Sequence, residues 1–594
     1  MLSSGDPVGG LGGVLGWRGI IDGVRGLDSP WGLRVTGLVG VAVVAAGAYG
    51  AGALPGRDPG AGLRGPGTPE FGFWLGLAGW VVGLAIMSGA WWRIGRRLGA
   101  VGNRWLFTTG ALWALPLLLA PPLASRDVYS YACQGEIWRS GLDPYAVGAV
   151  DGGCQWAGAV PDLWQHTPAP YGSVGVALSG VAAAVARAVG GPADHQLLVA
   201  VAVLRVVALV GGLLIAVYAG RLARAVGVAP EAARWLGLLS PLVAVHLVSG
   251  AHNDALTAGL IVAALAVSVP AAGRMWAAGG GAHGAASTKN GELSPWGSAL
   301  AAGAFLGLAV GVKVTAVIAL PFVVMLVAGR RIRLGAKPWP TIALAATAVT
   351  GSGALVFAAA SLGTGLGLGW VRALSDTGSL VQWTSLPTGL GMTAGYVLRT
   401  AGQPDSVDTA VDVARVCGLA ALVIIGLALC WRALRATLRL APSGGRPQPA
   451  ERPRELAGAT VPATTQARST AAVVHDRPAR LTEDKAAART IVAACGWTLV
   501  AAAILLPVFY PWYALVPLAV LACATKPGRT RTALAAAAVV VTALTLPNGL
   551  GIPVLTKLPG AILDVAIVAG AITAYRRRSR RSSQDEPVPA DGRR

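Results

Sequence analysis

A cluster of acidic and aromatic side chains directly follows the third long apolar segment of the chain. It occupies the stretch SRDVYSYACQGEIWRSGLDPY, residues 125–145, and its notable members are Arg126, Asp127, Tyr129, Tyr131, Asp143 and Tyr145. Carboxylates accept hydrogen bonds from hydroxyl groups, and aromatic rings stack on sugar C–H faces. The composition therefore favours a carbohydrate site lined by these residues, with Asp127 as its leading candidate. A solvated carboxylate beside an interfacial aromatic belt is the alternative.

A second polar group lies in SGAHNDALTAGL, residues 249–260, between two apolar stretches. His252, Asn253 and Asp254 are consecutive there, whereas a helix N-cap needs only one such side chain. Capping by Asn253 or Asp254 is the alternative to a role in a site. Ionisable groups at membrane depth are costly, so the group is a functional candidate.

One lysine and three aromatic residues complete the candidates. Lys313 divides an apolar run at 300–329, where its ammonium would meet an anionic lipid head group or snorkel to the membrane surface. Trp383, Trp512 and Tyr513 lie near prolines and are suited to holding an isoprenoid or a sugar at the interface. An anchoring belt is the alternative for these aromatic residues.

The composition shows what kind of scaffold must position these groups. The 594 residues are 54% hydrophobic and only 13% charged, about half the charged fraction of a soluble protein. Repeated apolar runs predict an all-α polytopic membrane protein. The net charge of +21 comes from short basic clusters between these runs, as in cytoplasmic loops, which excludes a nucleic-acid-binding domain. The N-terminus has no pattern of a cleavable signal peptide.

The hydropathy pattern predicts 13 to 15 transmembrane helices with both termini in the cytoplasm. The predicted spans are 33–54, 73–91, 105–123, 196–219, 234–250, 254–270, 297–312, 314–329, 340–360, 410–432, 487–506, 511–525, 531–546 and 559–574. The apolar segment 172–190 is predicted not to cross, because a crossing would place every later basic cluster outside. The loop 125–171 then lies outside, with five acids against two arginines. Its Cys133 and Cys154 either form a disulfide or remain two thiols.

Five regions follow from this pattern. They are a cytoplasmic N-terminal segment 1–32, an N-terminal catalytic membrane block 33–440, a disordered cytoplasmic linker 441–486, a C-terminal four-helix block 487–575 and a basic cytoplasmic tail 576–594. No nucleotide-binding motif is present. An enzyme with an outward-facing site therefore needs a lipid-linked sugar donor rather than a cytosolic nucleotide sugar. A transporter or flippase of a polyprenyl-linked sugar is the rival function.

Four short motifs in a fixed order carry a family resemblance. GLDPY and TPAPYGS in the outer loop, followed by HNDAL and GVKVT, resemble the GT-C glycosyltransferases. More narrowly, they resemble the actinobacterial polyprenol-phosphomannose-dependent α-1,6-mannosyltransferases of the MptA/MptB family, with the MptB type closer. The resemblance implies a GT-C fold in the plasma membrane, an outward-facing site, a polyprenyl-phosphate-mannose donor and a growing lipomannan-type mannan acceptor. One departure is APYGS, where relatives more often have a second proline after Tyr-Gly.

The resemblance and the chemistry together suggest roles for the candidates. Asp127 matches the catalytic acid of the family's first loop, and inversion at C1 requires one general base. Lys313 and His252 are expected to contact the donor phosphate, and Trp512 and Tyr513 its lipid. Asn253 and Asp254 would bind sugar hydroxyls or orient the base. The remaining sugar or acceptor candidates are Arg126, Tyr129, Tyr131, Asp143, Tyr145, Tyr171 and Trp383. No metal is required, although Asp127 and Asp254 are potential ligands. Another lipid-linked glycan transferase, such as a protein O-mannosyltransferase, is a further alternative.

Overall fold

The fold is almost entirely helical. The structure, a computed structural model, describes residues 28–60, 63, 68–270, 294–378, 380–441, 464–549 and 551–584. Within these ranges the only β-type pairings are two isolated bridges. The all-α polytopic class predicted from the sequence is confirmed.

The first three long helices in the described part of the chain are apolar. They are α1 (Pro30–Ala51), α2 (Phe71–Arg96) and α3 (Asn103–Leu119). The Ser29 hydroxyl caps α1 by accepting a hydrogen bond from the backbone N–H of Gly32 at 3.0 Å. Helices α1 and α2 pack closely because glycines face each other. A Cβ on Gly47 would lie 2.7 Å from the carbonyl oxygen of Gly76.

The next helices carry most of the candidate residues. They are α4 (Asp127–Arg139), α5 (Ser173–Val189), α6 (Ala193–Ala225), α7 (Pro230–Gly237), a π-helical turn (Val243–Ser249) and α8 (Asp254–Ser268). Arg187 of α5 donates to the buried Glu136 of α4 at 3.0 Å, and Arg139 shares the same carboxylate. This ion network accounts for an arginine in the apolar segment 172–190. Every residue of α8 is buried, so α8 is the centre of the bundle.

The remaining helices surround this centre. Before the long gap they are α9 (Pro295–Val312), a 3₁₀ turn (Val314–Ala319), α10 (Leu320–Ile332), α11 (Pro338–Thr364), α12 (Trp370–Gly378), α13 (Leu386–Thr400) and α14 (Val407–Leu438). After it come α15 (Thr464–Leu505), a 3₁₀ turn (Pro511–Ala514), α16 (Leu515–Ala524), α17 (Arg529–Ala543) and α18 (Lys557–Gln584). Helix α16 is entirely buried against α6, α7 and α8.

Two expectations from the sequence need correction. Among the described residues, nine helices are long and apolar enough to cross a membrane, or ten if one bent pair counts, rather than 13 to 15. Predicted spans 234–250 and 254–270 are instead α7 and a pair of segments bent by 107°. Helices of about 15 residues rise only about 22 Å, less than the apolar thickness of a bilayer. The predicted linker 441–486 is helical from Thr464 onward, and its residues 442–463 lie outside the described residues.

Contacts among the helix ends gather the basic clusters at one end of the bundle. Trp91 of α2 stacks on Trp235 of α7 with ring centroids 4.7 Å apart, and each indole donates to the other residue's carbonyl. Arg489 of α15 donates to the carbonyl of Val226 after α6 at 3.2 Å. Positive charge favours the cytoplasmic side of a membrane, which makes this the expected inner end.

We predict that a cysteine replacing Ala229, an exposed residue before α7, resists a membrane-impermeant maleimide in intact cells. The background is Cys417→Ala, because Cys417 is an exposed thiol. The control is Leu142→Cys in the outer loop, where Leu142 is 47% exposed and should be labelled. Labelling at position 229 with protection at position 142 would invert the topology.

Candidate active site

Asp127 is held in place by the backbone between α3 and α4. Ala124 has a φ of +62°, a conformation that costs a residue with a Cβ atom about 1 to 3 kcal/mol. The Ser125 hydroxyl accepts a hydrogen bond from the N–H of Asp127 at 3.0 Å. The Arg126 guanidinium donates to the carbonyl oxygens of Leu54 at 2.9 Å and of Arg57. Arg126 therefore fixes the loop that presents Asp127, and its charge is directed at backbone carbonyls.

The bent pair of segments brings the second polar group to the same place. The π-helical turn ends at Ser249, Ala251 has a φ of +51°, and α8 begins at Asp254. π-helical turns and positive φ values at non-glycine residues are both common at functional sites. Nδ1 of the fully buried His252 lies 3.7 Å from Oδ2 of Asp127.

Lys313 forms a buried ion pair with Asp254. It lies at the break between α9 and the 3₁₀ turn, and its Nζ is 2.8 and 2.9 Å from the two Asp254 carboxylate oxygens. The ammonium also lies 3.9 Å from the centroid of the Tyr513 ring, a cation–π contact. The lysine side chain is 14% exposed and points inward, which rules out the snorkelling alternative.

Aromatic rings from the segment FYPWY, residues 509–513, pack against these groups. His252 stacks on Trp512 with centroids 4.2 Å apart, and Trp512 stacks on Tyr510 at 4.6 Å. The three rings thus form one continuous stack beside Asp127. Tyr131 and Tyr171 make a separate edge-to-face pair with centroids 5.2 Å apart. Rigid rings of this kind fix the shape of the space next to the carboxylate.

Two cavities are lined by rings of this stack, and both include Tyr510 and Trp512. The first, of about 260 Å³, contains seven of the predicted site residues: Asp127, Tyr131, Tyr171, Asp254, Lys313, Trp512 and Tyr513. Its apolar wall comes from the end of α15 and from α16, and includes Leu499, Ala502, Leu506 and Val516. The second, of about 230 Å³, is bordered by Arg126, Asp127 and Trp512 among the predicted residues. Asp127 lines both cavities.

The surroundings of Asp127 set its acidity. Burial raises the pKa of its carboxyl to about 6, while the hydrogen bond with Ser125 and the charge of Lys313 oppose this rise. The nearby Asp254 carboxylate adds to it. At neutral pH the group is ionised and basic enough to accept a proton. In the part of the chain that the structure describes, no group of three or more His, Cys, Asp or Glu side chains could hold a metal ion.

Three predicted sugar contacts in the outer loop lie outside both cavities. The buried Tyr129 donates its hydroxyl to the carbonyl of Ala53 at 2.6 Å. Asp143 is exposed and accepts a hydrogen bond from the N–H of Tyr145 at 2.8 Å, so it caps a turn. The ring of Tyr145 packs in a small core with Trp370. These three residues therefore make contacts that stabilise the loop, and their predicted role in binding sugar is not supported by the cavity lining.

The other predicted residues outside the cavities are His252, Asn253 and Trp383. His252 is stacked on Trp512 and lines neither cavity, so its contact with a donor phosphate stays a prediction. The carbonyl of Asn253 accepts from Thr257, and its side chain lines neither cavity. Trp383 packs against Met392. Sequence position near a polar cluster does not show which face of a turn a side chain occupies.

Some cavity residues were missed from the sequence. Tyr510 lines both cavities, and its position beside two predicted aromatics in FYPWY was a usable signal. Trp164, which also lines both, comes from the four-residue helix Asp162–Gln165. Gln382 and Asn548 line the second cavity from distant parts of the chain, and no local pattern marks them.

A disulfide joins α4 to the loop that follows it. Cys133 and Cys154 are bonded, with their Cα atoms 5.5 Å apart, so the first of the two alternatives is confirmed. The bond ties the helix that begins with Asp127 to the segment that leads to Trp164.

Comparisons with known proteins agree with one another. The family profile described as "Alpha-(1->6)-mannopyranosyltransferase, N-terminal domain" matches residues 34–329, and the one described as "MptB C-terminal domain" matches residues 480–574. An alpha-(1->6)-mannopyranosyltransferase of Mycobacterium tuberculosis is 32% identical over 451 residues, covering 69% of this chain and 73% of that protein. Alpha-(1->6)-mannopyranosyltransferase A of the same organism is 32% identical with the same coverage. Alpha-(1->6)-mannopyranosyltransferase B of Corynebacterium glutamicum is 28% identical, covering 68% and 66%. No solved structure shows significant similarity to the chain.

We predict that Lys313→Met destabilises the protein. The change leaves the Asp254 carboxylate, which is only 3% exposed, without its counter-ion, and such a loss costs about 3 to 5 kcal/mol. The double variant Lys313→Met/Asp254→Asn should regain much of this stability because no charge remains buried. Thermal unfolding of both variants in one detergent measures the effect. A single variant as stable as the wild type would show that the ion pair is unimportant.

Proposed function

The chain belongs to the alpha-(1->6)-mannopyranosyltransferase family, and from this premise we propose that it transfers mannose from a polyprenyl phosphate to a mannan chain. The protein is a mannosyltransferase with multiple membrane-length helices. The proposal adds the donor, an acceptor of the lipomannan type, and inversion at the anomeric carbon. The observation that carries it is the meeting of Asp127, Asp254 and Lys313 in a cavity with an apolar wall.

The first cavity suits a lipid-linked sugar phosphate. Leu499, Ala502, Leu506 and Val516 offer an apolar surface along which an isoprenoid can lie. Lys313 lines the same cavity and supplies a positive charge for the phosphate. Its Nζ lies within hydrogen-bond distance of both Asp254 oxygens, and because an ammonium has three donors it can also bind a ligand oxygen. A nucleotide sugar would use none of the apolar wall.

Asp127 is placed to act as the general base. The acceptor hydroxyl oxygen attacks C1, the bond between C1 and the phosphate oxygen breaks with its electron pair going to the phosphate, and Asp127 takes the hydroxyl proton. The phosphate leaves as an anion, so Lys313 and hydroxyl donors suffice and no general acid is needed. A single carboxylate is enough for this inverting transfer.

The proposed location of the site is the outer side of the plasma membrane. The basic clusters of α2, α6 and α10 lie at the far ends of those helices from the loop 125–171. Positive charge marks the cytoplasmic side, and the Cys133–Cys154 disulfide is of a kind that persists outside the cytoplasm. The donor would enter from the outer leaflet.

We predict that Asp127→Asn lowers transfer by about 10²- to 10⁴-fold while donor binding is retained, because the amide keeps the shape but cannot take the proton. The assay incubates purified protein with labelled polyprenyl-phosphate-mannose and a short α-1,6-mannoside, followed by linkage analysis. Asp143→Asn is the matched control, since this exposed carboxylate of the same loop should be dispensable.

The outcomes separate the proposed function from its rivals. A new α-1,6 linkage with the wild type and its loss in the Asp127 variant support the proposal. Movement of the donor across vesicles without a new linkage would favour a flippase. Transfer to a serine or threonine peptide in place of the mannoside would favour a protein mannosyltransferase.

We predict an acid limb in the pH profile of transfer near pH 6. The carboxylate of Asp127 works as a base only when ionised, and its pKa is raised to about 6. Below that pH the rate should fall about tenfold for each unit, and above it the rate should level off. Steady-state rates at saturating donor from pH 4.5 to 8 measure this limb. A rate that stays level down to pH 4.5 would contradict the assignment.

A further inference from the structure

The second cavity lies across a shared wall from the first. Four residues line both cavities: Asp127, Trp164, Tyr510 and Trp512. Asp254 and Lys313 line only the first cavity. Asp127 is therefore the one carboxylate, among the described residues, that faces both spaces. A base that must meet one substrate on each side would need this placement.

The two cavities differ in charge. Among the described residues that line the second cavity, the only cationic side chain is Arg126, whose guanidinium donates to the backbone carbonyls of Leu54, Arg57 and Ala159. Apart from Arg126 and the carboxylate of Asp127, the polar side chains that line it are neutral and include Gln382, Thr384 and Asn548. A phosphate therefore finds its cation in the first cavity, and the second suits an uncharged ligand.

The walls of the second cavity match the two kinds of surface that a sugar presents. Trp164, Phe509 and Tyr510 provide aromatic rings for C–H faces, while Trp512, stacked between His252 and Tyr510, presents its edge. Amide and hydroxyl side chains offer both donors and acceptors for ligand hydroxyls. A neutral carbohydrate uses both kinds of surface, whereas a lipid chain would use only the apolar one.

The cavity is formed where the C-terminal part of the chain docks on the Asp127 loop. The N–H of Ala124 donates to the carbonyl of Pro547 at 2.9 Å, and the Asn548 amide donates to Asp58 at 3.0 Å. Gly549 has a φ of +86°, and a Cβ there would lie 3.0 Å from Cα of Ser125. The close approach requires glycine. The second cavity is thus built by fixed contacts from both parts of the chain.

We propose that the second cavity binds the acceptor, namely the terminal hexose of a neutral α-linked oligosaccharide, with its primary hydroxyl directed at Asp127. This inference rests on the proposed function and adds a binding site to it. A primary hydroxyl is carried on an exocyclic carbon and extends farther from the ring than the other hydroxyls do. It therefore reaches Asp127 while the ring stays among the aromatic side chains. Its proton passes to Asp127 as its oxygen bonds to C1 of the donor.

The test blocks the rim of the cavity. Val554 and Leu163 line it from two short helices and are 38% and 49% exposed, so Val554→Trp and Leu163→Trp are compatible with folding. The acceptor probe is an octyl α-1,6-dimannoside and the donor probe is a short-chain polyprenyl-phosphate-mannose. Each variant should raise the acceptor KM by about tenfold or more and leave the donor KM within about twofold of the wild type.

Two further variants complete the design. The control is Leu555→Trp. Leu555 follows Val554, is 47% exposed and does not line the cavity, so this change should leave the KM values of donor and acceptor unchanged. Leu506→Trp narrows the first cavity and should raise the donor KM instead. An absence of transfer by the wild type would overturn the proposed function. Transfer by the wild type with an unchanged acceptor KM, or a raised donor KM, in both rim variants would overturn the acceptor site alone.

Discussion

The buried ion pair between Lys313 and Asp254 joins two interruptions of the helical bundle. Lys313 lies where α9 ends, and Asp254 lies where the bent pair resumes as α8. Each charge would be costly in an apolar bundle without the other. The ion pair therefore holds the start of α8 next to the end of α9. Three other parts of the chain surround this ion pair in the first cavity. They are the loop that presents Asp127, the FYPWY segment with Trp512, and the apolar wall from α15 and α16. Ala124, before Asp127, and Ala251, before Asp254, both have positive φ values, a backbone conformation that favours glycine.

Two rings of the aromatic stack lie between the two cavities next to Asp127. His252, Trp512 and Tyr510 are held ring to ring, and the last two separate a cavity that contains a cation from one whose polar groups are mainly neutral. A glycosyl transfer needs such an asymmetry, because the phosphate leaving group carries charge and the attacking alcohol does not. The C-terminal part of the chain supplies the stack and walls of both cavities, so neither substrate space is complete within the N-terminal part.

The sequence was informative where physical cost makes a residue conspicuous. A lysine and an aspartate inside apolar runs are expensive, and both prove to line the first cavity with Asp127. Nearness in sequence was less informative: Tyr129, Tyr145 and Asp143 lie near Asp127 in the sequence, but they line neither cavity and make contacts within the loop. Gln382 and Asn548 carry no local signal, because their position depends on tertiary packing. The number of spans was overestimated since hydropathy alone does not show where a short apolar helix ends or bends.

The proposed transfer depends most on one carboxylate that lies between a charged donor and a neutral acceptor. The most direct measurement is an electron cryo-microscopy structure of the Asp127→Asn variant with polyprenyl-phosphate-mannose bound. We expect the phosphate to lie beside Lys313 and the isoprenoid along Leu499 and Leu506. The anomeric carbon should face residue 127 from the first cavity. A mannosyl phosphate found in the second cavity, or in neither, would contradict this expectation.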